Sequence, residues 1–466
     1  MLIRSKMADL KVKIDTYKGF PIAQSILAHV PRIQDLDLEG APSHLEDLFR
    51  SLPKTAPRLQ SLKVKNKDTR STCKLPKELF SQADRLKSID ILGCDIDWAH
   101  HLTGKNSLTV LRLKDVPNTS SLSAAQFLET FAQMGSLEIL DLRNALPVIE
   151  APHAVQSRPR ACLPYLQELY LSCPPEQIVF FLKHVDIPPE IILDITSTGP
   201  SNASFARVLA AVSSVLSSDE NSAHIIRSLA CHQSFGVSLS GYSCLEKERK
   251  SRSPERTASR TKTTVLSLSL TLDAGGTTER EELWANVFSQ LPLSNIVEAN
   301  IFRNLYLTCD IMAKTLGKLP HLASLSLTDS FPGVAKMLRE TQSDYNGDSS
   351  LALLPPKLAF PELRTLTLCQ FSFDQVDDLP LDSLLQSLIW RYEFGAEIEK
   401  LDLQDCFRLD EDDVDLLREV VVDVFWDGVE QGYTDDEEDS DDYNDSYDEN
   451  YYDDPYYSDD YFGYFW

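Results

Sequence analysis

Six side chains, Asp37, Lys63, Asp90, Arg112, Asp141 and Tyr170, follow one another at intervals of 26, 27, 22, 29 and 29 residues. Each sits between two apolar residues of an L-x-L or closely related triplet. Their chemistry is recognition rather than bond-making. Opposite charges on neighbouring strands pair and stabilise a sheet. Arg and Tyr are the residue types that anchor protein interfaces. The row can therefore be read as a self-paired charge ladder or as a ligand stripe ending on an aromatic anchor, and the two are compatible. The equivalent positions later in the chain, Ser326, Thr367 and Asp402, are more neutral.

No other set of reactive residues has a spacing that a catalytic or metal centre requires. His100 and His101 are adjacent, so they point apart on any regular element and read as surface groups. No H-E-x-x-H signature is present, and Gly275-Gly276 is a lone pair rather than a phosphate-cradling loop. The nine cysteines are dispersed without a C-x-x-C pair. That pattern predicts reduced thiols at strand ends or buried positions, in a cytoplasmic or nuclear protein. The expectation is a protein that is not an enzyme and needs no cofactor or metal.

Charge narrows the partners. The net charge is −26, and residues 434–466 carry 14 of the 71 acidic residues with no Lys or Arg. A mildly acidic body is a poor nucleic-acid binder, because phosphate contacts need clustered Lys and Arg. No stretch of 18 apolar residues suggests a membrane span. Arg4, Lys6 and Asp9 interrupt any secretory signal.

The elements that must position the six residues are written in a short pattern, L-x-x-L-x-L, with Ile or Val allowed. It appears as Ile33/Leu36/Leu38, Leu59/Leu62/Val64, Leu86/Ile89/Ile91, Leu108/Leu111/Leu113, Leu137/Leu140/Leu142 and Leu166/Leu169/Leu171. A second series follows at Leu322/Leu325/Leu327, Leu363/Leu366/Leu368 and Ile398/Leu401/Leu403, with longer steps that imply inserted loops. Alternation predicts a short strand with one buried face, and the residue three earlier turns the chain into it. Between strands the period becomes helical. Ser43 with Glu46, and Ser123 with Gln126, match capping boxes ahead of apolar stripes, and a helix is also expected from Thr278 through Leu291. Leu10, Val12 and Ile14 predict an earlier strand, followed by a helix through Ile22, Ile26 and Leu27. Such periods fit leucine-rich repeats. The predicted fold is an α/β solenoid of irregular repeats, with a parallel sheet on the concave face and helices on the convex face. An uncapped first repeat would imply a domain upstream or a covering partner.

Composition divides the chain into 1–245, the first series with a degenerate middle; 246–263, a basic Ser/Arg-rich disordered loop; 264–433, the second series; and 434–466, a disordered tail. In the middle, Ile191/Leu193/Ile195 and Leu266/Leu268/Leu270 read as strands. The basic loop contains Ser253-Pro254, a phosphorylation motif, and could dock the acidic tail or be a plain insertion. The tail interleaves acids with Tyr443, Tyr447, Tyr451, Tyr452, Tyr456, Tyr457, Tyr461 and Tyr464. It reads as a solubilising segment or as capture of a basic partner, with tyrosines adding cation–π contacts.

The irregular repeats, inserted loops and acidic end resemble the leucine-rich region of fungal F-box proteins over roughly residues 8–425. Leu86–Cys94 and Ile398–Cys406 extend to L-x-x-L-x-L-x-x-C, similar to the cysteine-containing repeats of F-box substrate receptors. The resemblance implies a protein-binding scaffold that recognises substrates for an SCF-type ubiquitin ligase, with its partner on the concave face. Docking to Skp1 and a cullin would need an F-box, which was not found ahead of the repeats. Leu75-Pro76-Lys77-Glu78-Leu79 matches an F-box opening but lies between two strand segments, where it reads as the start of a repeat helix. The alternative is an acidic-tailed leucine-rich-repeat regulator similar to Ran GTPase activators or histone binders. Against the Ran version stand the uneven spacing and the lack of an Asn ladder.

Overall fold

The computed structural model describes residues 8–16, 29–53, 55–68, 70–79, 82–117, 123–147, 160–217, 225–232, 236–243, 264–302, 306–329, 331–342, 357–373 and 379–429. The expected helix through Ile22, Ile26 and Leu27, the basic segment 246–263 and the tail 434–466 lie outside the described residues.

Alternating apolar residues form one 16-stranded, mostly parallel sheet. In chain order the strands are β1 (Leu10–Asp15), β2 (Ile33–Gly40), β3 (Ser61–Asn66), β4 (Ser88–Leu92), β5 (Val110–Lys114), β6 (Ile139–Arg143), β7 (Glu168–Ser172) and β8 (Ile192–Gly199). They continue as β9 (Ser228–Cys231), β10 (Val237–Tyr242), β11 (Thr264–Leu272), β12 (Glu298–Phe302), β13 (Ser324–Thr328), β14 (Thr365–Cys369), β15 (Lys400–Gln404) and β16 (Asp423–Trp426). Spatial order follows chain order except in the middle, where it runs β8-β11-β10-β9-β12.

Strands β3 to β7 and β14 are entered by the same turn. The residue three ahead of the central apolar position is buried, and its N–H closes a tight turn: Leu59 onto Ala56, Leu86 onto Ala83, Leu108 onto Lys105, Leu137 onto Met134, Leu166 onto Leu163, Leu363 onto Phe360. The next N–H reaches across to the preceding strand, as in Lys87 to Gln60, Thr109 to Lys87 and Glu138 to Thr109. Several strands also leave alike. Gly93, Asp115, Asn144, Asp329, Gln370 and Asp405, each the first residue after a strand, have φ between 49° and 71°. Asp, Asn and Gly tolerate that left-handed geometry best. Most of these residues then donate to the next strand: Gly93 to Lys114, Asp115 to Arg143, Asn144 to Ser172, Asp329 to Cys369 and Gln370 to Gln404.

Helices lie between the strands: α1 (Pro42–Ser51), α2 (Trp98–His101), α3 (Ala124–Ala132), α4 (Pro175–His184), α5 (Asn202–Leu216), α6 (Thr277–Gln290), α7 (Cys309–Lys314), α8 (Val334–Arg339), α9 (Leu381–Glu393) and α10 (Glu411–Arg418). They and the apolar strand positions share one core, which includes Phe127, Phe131, Phe181 and Trp284. On the opposite sheet face most side chains are partly exposed, while Asp141, Ser228 and Ala230 are buried.

Three expectations need correction. The box at Ser43 and Glu46 does not form: α1 begins at Pro42 with Ala41 as its cap, and Glu46 instead accepts the Lys74 N–H. A proline at the first helical position supplies the required φ and makes a side-chain cap unnecessary. Leu75–Leu79 starts no helix; it is a turn closed by the Leu79 N–H on the Pro76 carbonyl. The sheet is also not wholly parallel. From β8 the chain passes through α5 and lands three positions away at β9; β10 then returns antiparallel, and β11 fills the place beside β8. The expected strands at Leu193 and Leu266 are present, but the pattern gave no sign of β9 and β10.

Candidate functional site

Pairing register decides whether the six sequence-predicted residues share a surface. Asp37 pairs with Lys63, Lys63 with Asp90, Asp90 with Arg112, Arg112 with Asp141 and Asp141 with Tyr170. All six therefore lie in one row across β2 to β7, on the partly exposed face. The row extends to Lys13 of β1 on one side and to Asp194, Ser267 and Ser240 on the other.

The charges alternate by strand. β2 presents Asp35, Asp37 and Glu39 between the lysines of β1 and β3. Lys11 meets Asp35 at 2.9 Å, Lys13 meets Asp37 at 3.7 Å, and Lys65 and Lys67 each meet Glu39 at 3.4 Å. Burial alone would raise the Glu39 carboxyl, but hydrogen bonds and charge from Lys65 and Lys67 outweigh it and hold it below the usual range. Lys63 reaches Asp90 at 3.9 Å. Exposed pairs of this kind stabilise by roughly 0–1 kcal/mol each.

At β5 to β8 the pattern changes. Asp141, its side chain only 4% exposed, takes both Lys114 and the Nε of Arg143 at 2.9 Å. The Arg143 guanidinium lies 5.9 Å from the centre of the Tyr170 ring, and the Tyr170 hydroxyl donates to Glu168 at 3.0 Å. Burial, then the Glu168 hydrogen bond and the charges of Asp194 and Asp141, push the Tyr170 phenol up to about 12, so it remains a donor at neutral pH. Burial also raises the Asp194 carboxyl, against the pull of Arg143 and a hydrogen bond from Ser267. Arg112 has Asp90 and Asp141 as register neighbours, yet makes no ion pair within 4 Å among the described residues. From β11 through β14 the row is small and uncharged, with Ser267, Ser240, Ala230, Asn300, Ser326 and Thr367, before it ends on Asp402 of β15 and Phe425 of β16.

The row is thus brought together as the spacing predicts. What the triplet rule missed are the residues two positions along each strand, such as Glu39, Lys65, Lys114 and Arg143. The signal was present, since residues i and i+2 of a strand share a face.

The other reactive groups have structural roles. His100 pairs with Asp97 at 3.0 Å. His101 accepts the Asp97 N–H on Nδ1 and bonds the Pro76 carbonyl through Nε2, so it ties two segments together instead of lying free on the surface. Burial pushes the Cys406 thiol up to about 11 and those of Cys173 and Cys309 up to about 12, which keeps them un-ionised and poor nucleophiles. Cys94, a free thiol hydrogen-bonded to the free thiol of Cys73 and buried, is raised further. Among the described residues no His, Cys, Asp and Glu group could hold a metal, and no helix is long and apolar enough to cross a membrane. On the helix side, the 22-residue interval leaves only the single-turn α2, and a notch of about 770 Å³ opens there, lined by Lys74, Asp97, Trp98 and Glu129.

No family model matches the chain, and no curated protein matches it either.

Proposed function

We propose that this protein is a non-enzymatic protein-binding scaffold built as a leucine-rich-repeat solenoid, and that the exposed sheet face is its recognition surface. The observation that carries the reading is the in-register row from Asp37 to Tyr170. A broad sheet face with fixed charge positions and a half-buried tyrosine offers directional polar contacts and an aromatic anchor, as interfaces use them. The buried, un-ionised thiols support a binding role over nucleophilic catalysis. Strand entry by one recurring turn supports the repeat class.

The resemblance to F-box substrate receptors extends the proposal: the bound protein is a substrate presented to an SCF-type ubiquitin ligase in the cytoplasm or nucleus. Affinity purification of the full chain from its native cells tests both levels. Recovery of Skp1 and a cullin supports the ligase role; their absence, with Ran or histones recovered instead, rejects it. Tyr170→Ala and Ser326→Arg, placed on the face at two separate points, should each reduce recovery of the bound protein. Undiminished recovery with both variants would remove the sheet face as the recognition surface.

A further inference from the structure

We propose that the β5–β7 part of the exposed sheet face binds an acidic peptide segment carrying an apolar side chain, with Arg112 as the cation that meets its carboxylate. This rests on the reading of that face as a protein-binding surface and names the chemistry of the partner.

The first ground is uncompensated charge. Along β1 to β4 each exposed-face lysine has a carboxylate within 4 Å, as in Lys11–Asp35, Lys13–Asp37, Lys63–Asp90 and Lys65–Glu39. On β5 and β6 three cations, Arg112, Lys114 and Arg143, face one buried carboxylate, Asp141, which Lys114 and Arg143 share. Arg112 makes no ion pair or hydrogen bond among the described residues. A positive patch with a free guanidinium stands in a chain of net charge −26. The complementary occupant is anionic, and a planar guanidinium fits a carboxylate with two parallel hydrogen bonds.

The second ground is what surrounds the charge. Val110 of β5 and Ile139 of β6 are partly exposed at one end of these strands, and Leu92 of β4 lies beside Lys114 at the other. Tyr170, under Arg143, adds a rigid half-buried ring. Apolar side chains flanking a free arginine suit a peptide that alternates acidic and apolar residues. Glu168 and Asp194 form the far border, where carboxylates would repel an acidic chain and so set its direction along the face.

The test is fluorescence anisotropy on the full chain, with a short labelled peptide alternating glutamate and leucine and its glutamine–leucine counterpart as control. The glutamate peptide should bind more tightly, and binding should weaken as salt rises. Arg112→Gln should weaken it about ten-fold, which corresponds to roughly 1.4 kcal/mol. Asp90→Asn removes a neighbouring negative charge and should tighten binding several-fold, which damage to the fold would not do. Arg50→Gln, on α1, should change nothing. Equal binding of the two peptides, or an unchanged affinity in Arg112→Gln, overturns the proposal. If the protein recovered from cells is still lost with Ser326→Arg but unaffected by Arg112→Gln, the face binds a protein and the acidic-peptide assignment alone has failed.

Discussion

At the scale of single residues, the strongest test of the fold lies far from the ladder. Arg391 of α9 is fully buried. Its guanidinium donates to four carbonyls: Nε to Ala396 at 3.1 Å, Nη1 to Leu338 at 3.2 Å and Ala359 at 3.0 Å, and Nη2 to Phe360 at 2.7 Å. Burial lowers its pKa to about 10, so it is still a cation at neutral pH. Those carbonyls end α8 and turn the chain into β14 and β15. Arg391→Met should therefore cost about 3–5 kcal/mol in urea unfolding, as expected when a buried charged network loses its centre. Arg391→Lys should recover only part, because an ammonium cannot reach four acceptors in a plane; full recovery would show that charge alone suffices. Glu39 gives the pH counterpart. Its carboxyl is held below the usual range by Lys65 and Lys67, so it is ionised more readily folded than unfolded. That stability is present above the unfolded pKa and is lost as pH falls through the folded one. Glu39→Gln should cost at most about 1 kcal/mol at pH 7, given the exposed lysines, and should flatten the acid limb of the stability profile.

Elements show how much a pattern can say about geometry. The box at Ser123 and Gln126 forms as expected, with Ser123 Oγ accepting the Gln126 N–H at 3.2 Å and Gln126 Oε1 accepting the Ser123 N–H at 3.2 Å. The look-alike at Ser43 fails because Pro42 already starts α1 one residue earlier. The two serines make a matched pair for thermal or urea unfolding. Ser123→Ala should cost about 1 kcal/mol, whereas Ser43→Ala should stay within about 0.5 kcal/mol. Equal losses would mean the caps are not what separates them. Strand existence and facing were legible because a period of two leaves no freedom once one face is apolar. Strand exits were legible in principle: Gly93, Asp115, Asn144 and Asp405 are the residue types that accept φ > 0, at one fixed offset after the last apolar position. Ion-pair choice was not legible. Spacing places Arg112 between two aspartates, yet side-chain reach leaves it free while Lys114 and Arg143 converge on Asp141.

Across the whole molecule, the departure from a simple progression is the order β8-β11-β10-β9-β12. It escaped the sequence pattern because neither segment completes the apolar triplet, Cys231 following Ile226 and Leu229, and Gly241 following Leu239, and because pairing order is a long-range property that no local period encodes. The physical logic is visible afterwards. β9 pairs parallel with β12, leaving two places beside β8, and only a return strand followed by a forward strand fills both with backbone partners. Leu239 of β10 and Leu268 of β11 are buried, so this excursion belongs to the core. The register sets Tyr242 opposite Thr264, so the two ends of the basic segment between them start side by side. Closing that gap needs only a short turn, and each halving of a flexible loop changes the closure cost by about 0.6 kcal/mol. Replacing residues 246–262 with a short Gly/Ser linker should therefore keep the far-UV circular dichroism of the full chain and leave stability within about 1 kcal/mol. It should also leave the Arg112-dependent affinity for an acidic peptide unchanged, since β5 to β7 hold their register without that segment. Loss of cooperative unfolding in this variant would instead mean that the basic segment holds β10 and β11 together, and that its seven Lys and Arg residues act within the fold.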